Sequence, residues 1–207
     1  DAGGKTTKTA ESVVPENTTF KSYIQNSFTI DNGNLKIQLA KFSSGGAYQS
    51  DLDFDDLTAE QKFIWQGLYN WWANAGLNLF KESYGTNFGF GSASSLITPR
   101  TMLFGFYERD DSSLAETGPY NDDSGKTAVA LMMRVNMTHY GDINTSTSNV
   151  NGYASSASEY LDLALAHEFT HAVMMANINY HNSLPQFIKE GLGELTIGSD
   201  KEMILRI

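Results

Sequence analysis

The five residues His167-Glu168-Phe169-Thr170-His171 constrain this chain more than any other stretch. They lie inside the run SEYLDLALAHEFTHAVMMAN, residues 158–177. On an α-helix, side chains four apart share a face, so both imidazoles can aim at one point. Such a pair suits a borderline-soft cation such as Zn²⁺, whose catalytic sites take three protein ligands and leave one position for water. Glu168 stands where it could take a proton from that water.

The surrounding pattern predicts the helix this requires. Leu161, Leu165, Phe169 and Ala172 recur at helical spacing, and Leu163, Ala164 and Ala166 fill a second apolar side, so the segment is expected to be buried. Ser158 and Glu159 are the expected N-cap and first-turn acid. Two histidines and a glutamate in the middle of a buried helix carry a large desolvation cost unless something binds them, and metal ligation would do so. The five-residue pattern also arises by chance, so a second signal is needed.

That signal is LPQFIKEGLGEL, residues 184–195. Leu184-Pro185 marks a helix start, and Phe187, Ile188, Leu192 and Leu195 form an apolar stripe. Glu190 and Glu194 sit four apart and look the same way. The 18 residues between His171 and Glu190 are enough to end one helix, turn through 177–183 and return antiparallel. Glu190 would then complete a His-His-Glu site.

HExxH, an 18-residue gap and Glu-Gly within EGLGE resemble the gluzincin group of zinc metallopeptidases. The wording LALAHEFTHAVM followed by LPQFIKEGLGELT is most similar to secreted bacterial peptidase domains of the flagellinolysin and clostridial-collagenase type. The resemblance is dense over residues 158–198 and diffuse elsewhere. It implies a zincin-like α+β domain, with a small mixed sheet, a long backing helix, the HExxH helix and a Glu-bearing helix. It implies His167, His171 and Glu190 as zinc ligands, Glu168 as general base, and Glu194 as the carboxylate that orients a ligand histidine. The implied activity is hydrolysis of internal peptide bonds in a polypeptide. The implied setting is extracellular, on a secreted, cell-surface or flagellar assembly. An aminopeptidase and a structural or adhesive domain retaining zinc are the alternatives. Metzincins are excluded, because Met174 and Asn177 occupy the positions where that group needs Gly and His.

Composition narrows the rest. A chain of 207 residues suits one domain with a sizeable core. A net charge of −10 argues against nucleic acid, which needs a basic stripe. Without cysteine, any zinc site must use His and carboxylate ligands. No apolar stretch approaches the roughly 20 residues that span a bilayer. The chain starts at Asp1 without a signal-peptide pattern and stops at Ile207, so it is expected to be a piece of something longer.

Residues 1–19 are small and polar and are expected to form an arm or linker, with the domain over 20–207. SFTIDNGNLKIQLA predicts a β-hairpin turning at Asn32-Gly33, and FSSGGAYQS predicts a loop. Asp51, Asp53, Asp55 and Asp56 invite a calcium reading, but they lack the turn glycine and terminal Glu of an EF-hand loop. Thr58 and Gln61 form a capping box for a helix with Ile64, Leu68, Trp71, Trp72 and Ala75 inward, expected to stop at Gly76. GLNLFKES and TMLFGFYER are expected strands. Asn121, Asp122, Asp123 and Gly125 predict a turn, and residues 127–137 predict a strand; its apolar alternation suits an ordinary core strand equally with the sheet edge beside the cleft that the zincin resemblance implies, where an extended peptide could pair. Residues 138–157 are an expected loop flanking it. Tyr140, Tyr153, Tyr180, His139 and His181 are candidates for stabilising an oxyanion.

Overall fold

Apolar alternation in SFTI and LKIQLAKF pairs β1 (Ser27–Ile30) with β2 (Leu35–Phe42) as the expected hairpin. Asp31, Asn32 and Gly33 all take positive φ, a conformation that Asn, Asp and Gly tolerate best. The structure is a computed structural model that describes residues 13–14, 19–91, 101–121 and 128–198. Within these residues the chain is a mixed α/β protein. Six strands form one mixed sheet in the order β1-β2-β4-β6-β5, with β3 (Tyr48–Asp51) paired to β2. β4 (Thr101–Tyr107) lies parallel to both β2 and β6 (Ala128–Asn136), and β5 (Ala115–Asn121) lies antiparallel to β6.

Two strands differ from expectation. β3 falls inside the predicted loop; all four of its residues are exposed, so it has no apolar alternation to reveal it. The edge strand is β5, while β6 is interior, with β4 on one side and β5 on the other. β5 reads AETGPYN, with a Gly-Pro pair where a strand signal would need β-branched or apolar residues. Proline has no N–H to give to a ladder, which is tolerable at a sheet edge. Of the predicted turn at 121–125, Asn121 ends β5 and the others lie outside the described residues.

The capping box forms as predicted. Thr58 accepts from the Gln61 N–H at 3.2 Å, and Gln61 returns the bond to the Thr58 N–H at 3.1 Å, opening α1 (Ala59–Gly67). The helix does not stop at Gly76. It passes through a π-helical turn at Leu68–Trp72 and continues as α2 (Ala73–Tyr84). Gly85, at φ 116°, ends it, so GLNLFKES is helix rather than strand. Gly76 serves contact instead: a Cβ there would lie 3.2 Å from Ala166 Cα and 3.1 Å from the Phe169 ring. Its missing side chain lets α2 press against α4 (Leu161–Asn177). Ile64, Leu68, Trp71 and Trp72 face the core as predicted, and Trp72 Nε1 donates to the Val150 carbonyl at 2.8 Å.

The stretch expected to be an arm is not all solvated. Val14 is buried, Val13 packs beside Leu163 and Ala166, and the Val13 N–H donates to Asp162 Oδ2 at 3.1 Å. Residues 138–157 hold a short helix, α3 (Met137–Tyr140), followed by turns. Asn149 knits those turns together by bonding to Asn144 and Tyr153. No described helix is long and apolar enough to cross a membrane.

Candidate metal centre

α4 carries both histidines and buries almost its whole length between α2, the sheet and α5 (Gln186–Thr196). It starts later than predicted. Tyr160 is the N-cap and makes no side-chain cap bond, leaving Ser158 and Glu159 outside; the acid in the first turn is the buried Asp162. Asp162 Oδ1 accepts the Leu163 N–H at 2.8 Å, which meets one of the donors a helix start leaves open.

One turn apart, His167 Nε2 and His171 Nε2 approach to 2.9 Å. From α5, Glu190 Oε2 comes to 3.4 Å from His167 Nε2 and 3.8 Å from His171 Nε2. Gln186, one turn earlier, donates to the other Glu190 oxygen. Ligand atoms about 2.0–2.1 Å from a tetrahedral ion sit about 3.3–3.4 Å from each other. The three separations straddle that value, so this donor set fits a cation of zinc's size and preference. His167, Glu168 and His171 also offer ligand atoms that all lie within 4.8 Å of one another, a group that could hold a metal ion. Burial first, then His167, His181 and Lys189, push the His171 pKa down to about 3, leaving a neutral ring with a free lone pair.

Glu194 reaches the other side of His167, with Oε1 3.5 Å from Nδ1. Gly193 lies between them along α5. A Cβ there would fall 2.6 Å from His167 Cε1, so the imidazole rests against bare backbone. Hydroxyls bolt α5 to both α4 and α2 at the same level. Thr170 and Thr196 Oγ1 are 3.0 Å apart, and the Tyr84 hydroxyl donates to the Leu192 carbonyl at 2.9 Å.

Glu168 points toward β5. Loss of solvation pushes its pKa up to about 7, with Glu190 and Glu116 adding to the rise and polar contact with Thr117 opposing it. The Thr117 hydroxyl has no well-formed hydrogen bond of its own. Sequence reasoning missed Thr117 because nothing marked β5 as a strand. It also missed Arg134, buried on β6, which donates through Nε to Glu116 Oε1 at 2.9 Å and through Nη1 to the Ser43 carbonyl at 3.2 Å. This pair ties the edge strand to its neighbour.

Among the five oxyanion candidates, His139 is half-buried and lies 2.6 Å from the Asp111 carbonyl, and Tyr153 and Tyr180 are exposed. Tyr140 is buried and donates to the Glu159 carbonyl at 3.0 Å. His181 is buried with both ring nitrogens unsatisfied. The acidic stretch keeps separate partners: Asp51 accepts from Gln38 and Tyr48, and Asp53 from Asn26. Among the described residues these carboxylates do not gather into a metal-binding group. Comparison with family models, curated proteins and solved structures finds no match to this chain, so the resemblance to gluzincins rests on residues 158–198 alone.

Proposed function

We propose that this chain is a zinc-dependent endopeptidase of the zincin-like, gluzincin type, hydrolysing internal peptide bonds of a polypeptide. The observation that carries the reading is the closure of His167, His171 and Glu190 into one triangle with the Glu168 carboxylate beside it. Zinc, when bound there, supplies the positive charge that acidifies a water and polarises the scissile carbonyl. Glu168 takes the water's proton and delivers it to the departing amine nitrogen. A carboxylate whose pKa sits near 7 can do both at neutral pH. Glu194, facing His167 Nδ1, holds that ring with its other nitrogen toward the metal. β5 ends the sheet beside Glu168, and an extended peptide can add to it by main-chain hydrogen bonds. Pro119 removes one donor from that strand. The extracellular, flagellar or cell-surface setting is part of the same proposal and is carried by the resemblance.

Glu168→Gln tests the reading. The variant should keep its zinc and lose about 10²–10⁴-fold in peptide cleavage, the usual scale for losing a general base. Equal cleavage by the variant would refute the assignment. Mass spectrometry of a digested peptide library should show internal cuts, and stepwise trimming from the amino end would point to an aminopeptidase instead.

A further inference from the structure

The face of the sheet opposite α4 buries a cation that the metal centre does not touch. Register places Gly105 of β4, Arg134 of β6 and Glu116 of β5 side by side in one row, so all three look to the same face. Arg134 is only 3% exposed. It donates through Nε and Nη2 to Glu116 Oε1, and through Nη1 to the Ser43 carbonyl in the turn between β2 and β3. Its guanidinium carbon lies 4.8 Å from the centre of the Tyr107 ring and 5.6 Å from that of Phe42. Two glycines make room for the turn. A Cβ on Gly105 would fall 2.6 Å from the Phe42 ring, and one on Gly46 would lie 3.1 Å from Arg134 Nη2. The turn also reaches the edge strand directly, because Tyr120 of β5 donates its hydroxyl to the Gly46 carbonyl at 3.3 Å.

β5 has reason to need such anchorage. It pairs with β6 alone, and Gly118 and Pro119 in its middle leave it with little strand propensity and one donor fewer. Arg134 and the turn hold it at Glu116 and at Tyr120, one on each side of that weak point. Thr117, next after Glu116, turns to the opposite face, where α4 packs. A displacement of β5 therefore moves its open edge relative to the helix that carries His167 and His171. A buried ion pair adds little net stability, because desolvating both charges offsets their attraction; its best-attested use is to fix one register among several.

We propose that Arg134 and the β2–β3 turn form a brace that fixes β5 as the peptide-binding strand of the site, with Arg134 a positioning residue for extended substrates. Arg134 acts through Glu116 and the backbone of β5, from the face away from the metal ligands. An extended peptide adds to β5 through successive main-chain hydrogen bonds, so it feels the strand's placement along its length. A substrate too short to follow the strand does not. The inference rests on the peptidase reading for its substrate.

The test compares an extended peptide, long enough to lie along the seven residues of β5, with a blocked dipeptide carrying only the two residues that flank the cut bond. Arg134→Met should lower kcat/KM for the extended peptide about tenfold, through KM, the worth of one or two main-chain hydrogen bonds, and change the dipeptide rate and the zinc affinity by less than about twofold. Tyr120→Phe should act in the same sense and more weakly. Arg134→Met/Glu116→Gln leaves no buried carboxylate without its partner and carries the same expectation if the single variant fails to fold. An undiminished preference for the extended peptide in the folded variants overturns the proposal. So does equal loss on both substrates, or loss of zinc, since either would make Arg134 part of the general framework. Calorimetric binding of the extended peptide to zinc-loaded Glu168→Gln, with and without Arg134→Met, separates the two readings. Binding weakened by Arg134→Met without turnover in the parent would sink the peptidase and leave the brace standing, and no binding to either protein would sink the brace as well.

Discussion

Glu190 and Glu194 are the same residue type on the same helix face, yet each meets a different side of His167. Glu190 turns one oxygen toward both imidazoles, 3.4 and 3.8 Å away, while Gln186 holds the other. Glu194 meets only the far nitrogen of His167, at 3.5 Å. A direct ligand bears the metal's charge, whereas a carboxylate behind a ligand fixes ring orientation and typically changes affinity 10–100-fold. Glu190→Gln should therefore lose zinc well beyond that range, and Glu194→Gln should stay within it. Equilibrium titration with a competing chelator reads both constants, and the reverse order would exchange the two roles. The sequence placed both residues by spacing alone. Spacing could not separate them; only the gluzincin resemblance did, and the difference it implies corresponds to which side of His167 each carboxylate reaches.

At the scale of elements, the site depends on how closely α2 and α5 can approach α4, and glycines set both distances. Glycine is a poor helix former, so the sequence pattern alone makes Gly76 a helix stop. Its actual role appears only when Ala166 and Phe169 lie across from it. Gly76→Leu keeps helix propensity high but drives a side chain into that contact, displacing the turn that leads into His167. Overpacking of this kind costs about 1–3 kcal/mol. The variant should melt earlier and also bind zinc more weakly, while a Leu at the exposed Asn74 should do neither. The hairpin, the capping box and the two helices that carry the site were legible because each announces itself within a few residues. β5 was not, because AETGPYN is a strand only by virtue of pairing with β6 at the sheet's edge. The π-helical turn was not either; it falls at Leu68–Trp72, where Leu68, Trp71 and Trp72 keep the inward placement that an unbroken α-helix also predicts.

For the molecule as a whole, the excess of acidic groups becomes a stability problem where carboxylates are brought together away from water. Glu159 lies beside Asp162 and Glu194 at the base of the two site helices, and its pKa rises to about 7, first from lost solvation and then from those two charges. A carboxyl raised in the folded state takes up protons there that it would not hold when unfolded, near 4.5. Its contribution is therefore fully present below about pH 4.5 and is lost as pH rises through about 7. A shift of this size, reduced for partial screening, corresponds to about 1–3 kcal/mol, or roughly 2–10 °C for a chain of this length. Glu159→Gln removes the charge, so its melting temperature should fall less than the parent's as pH rises, with the two curves separating between about pH 4.5 and pH 7 and running parallel above that. His171, held low, acts with the opposite sign, losing its contribution as pH falls from about 6.5 toward 3. That response is common to both proteins and cancels in the difference. Parallel melting curves across the window would show that Glu159 is ionised at neutral pH and that water reaches the base of the site.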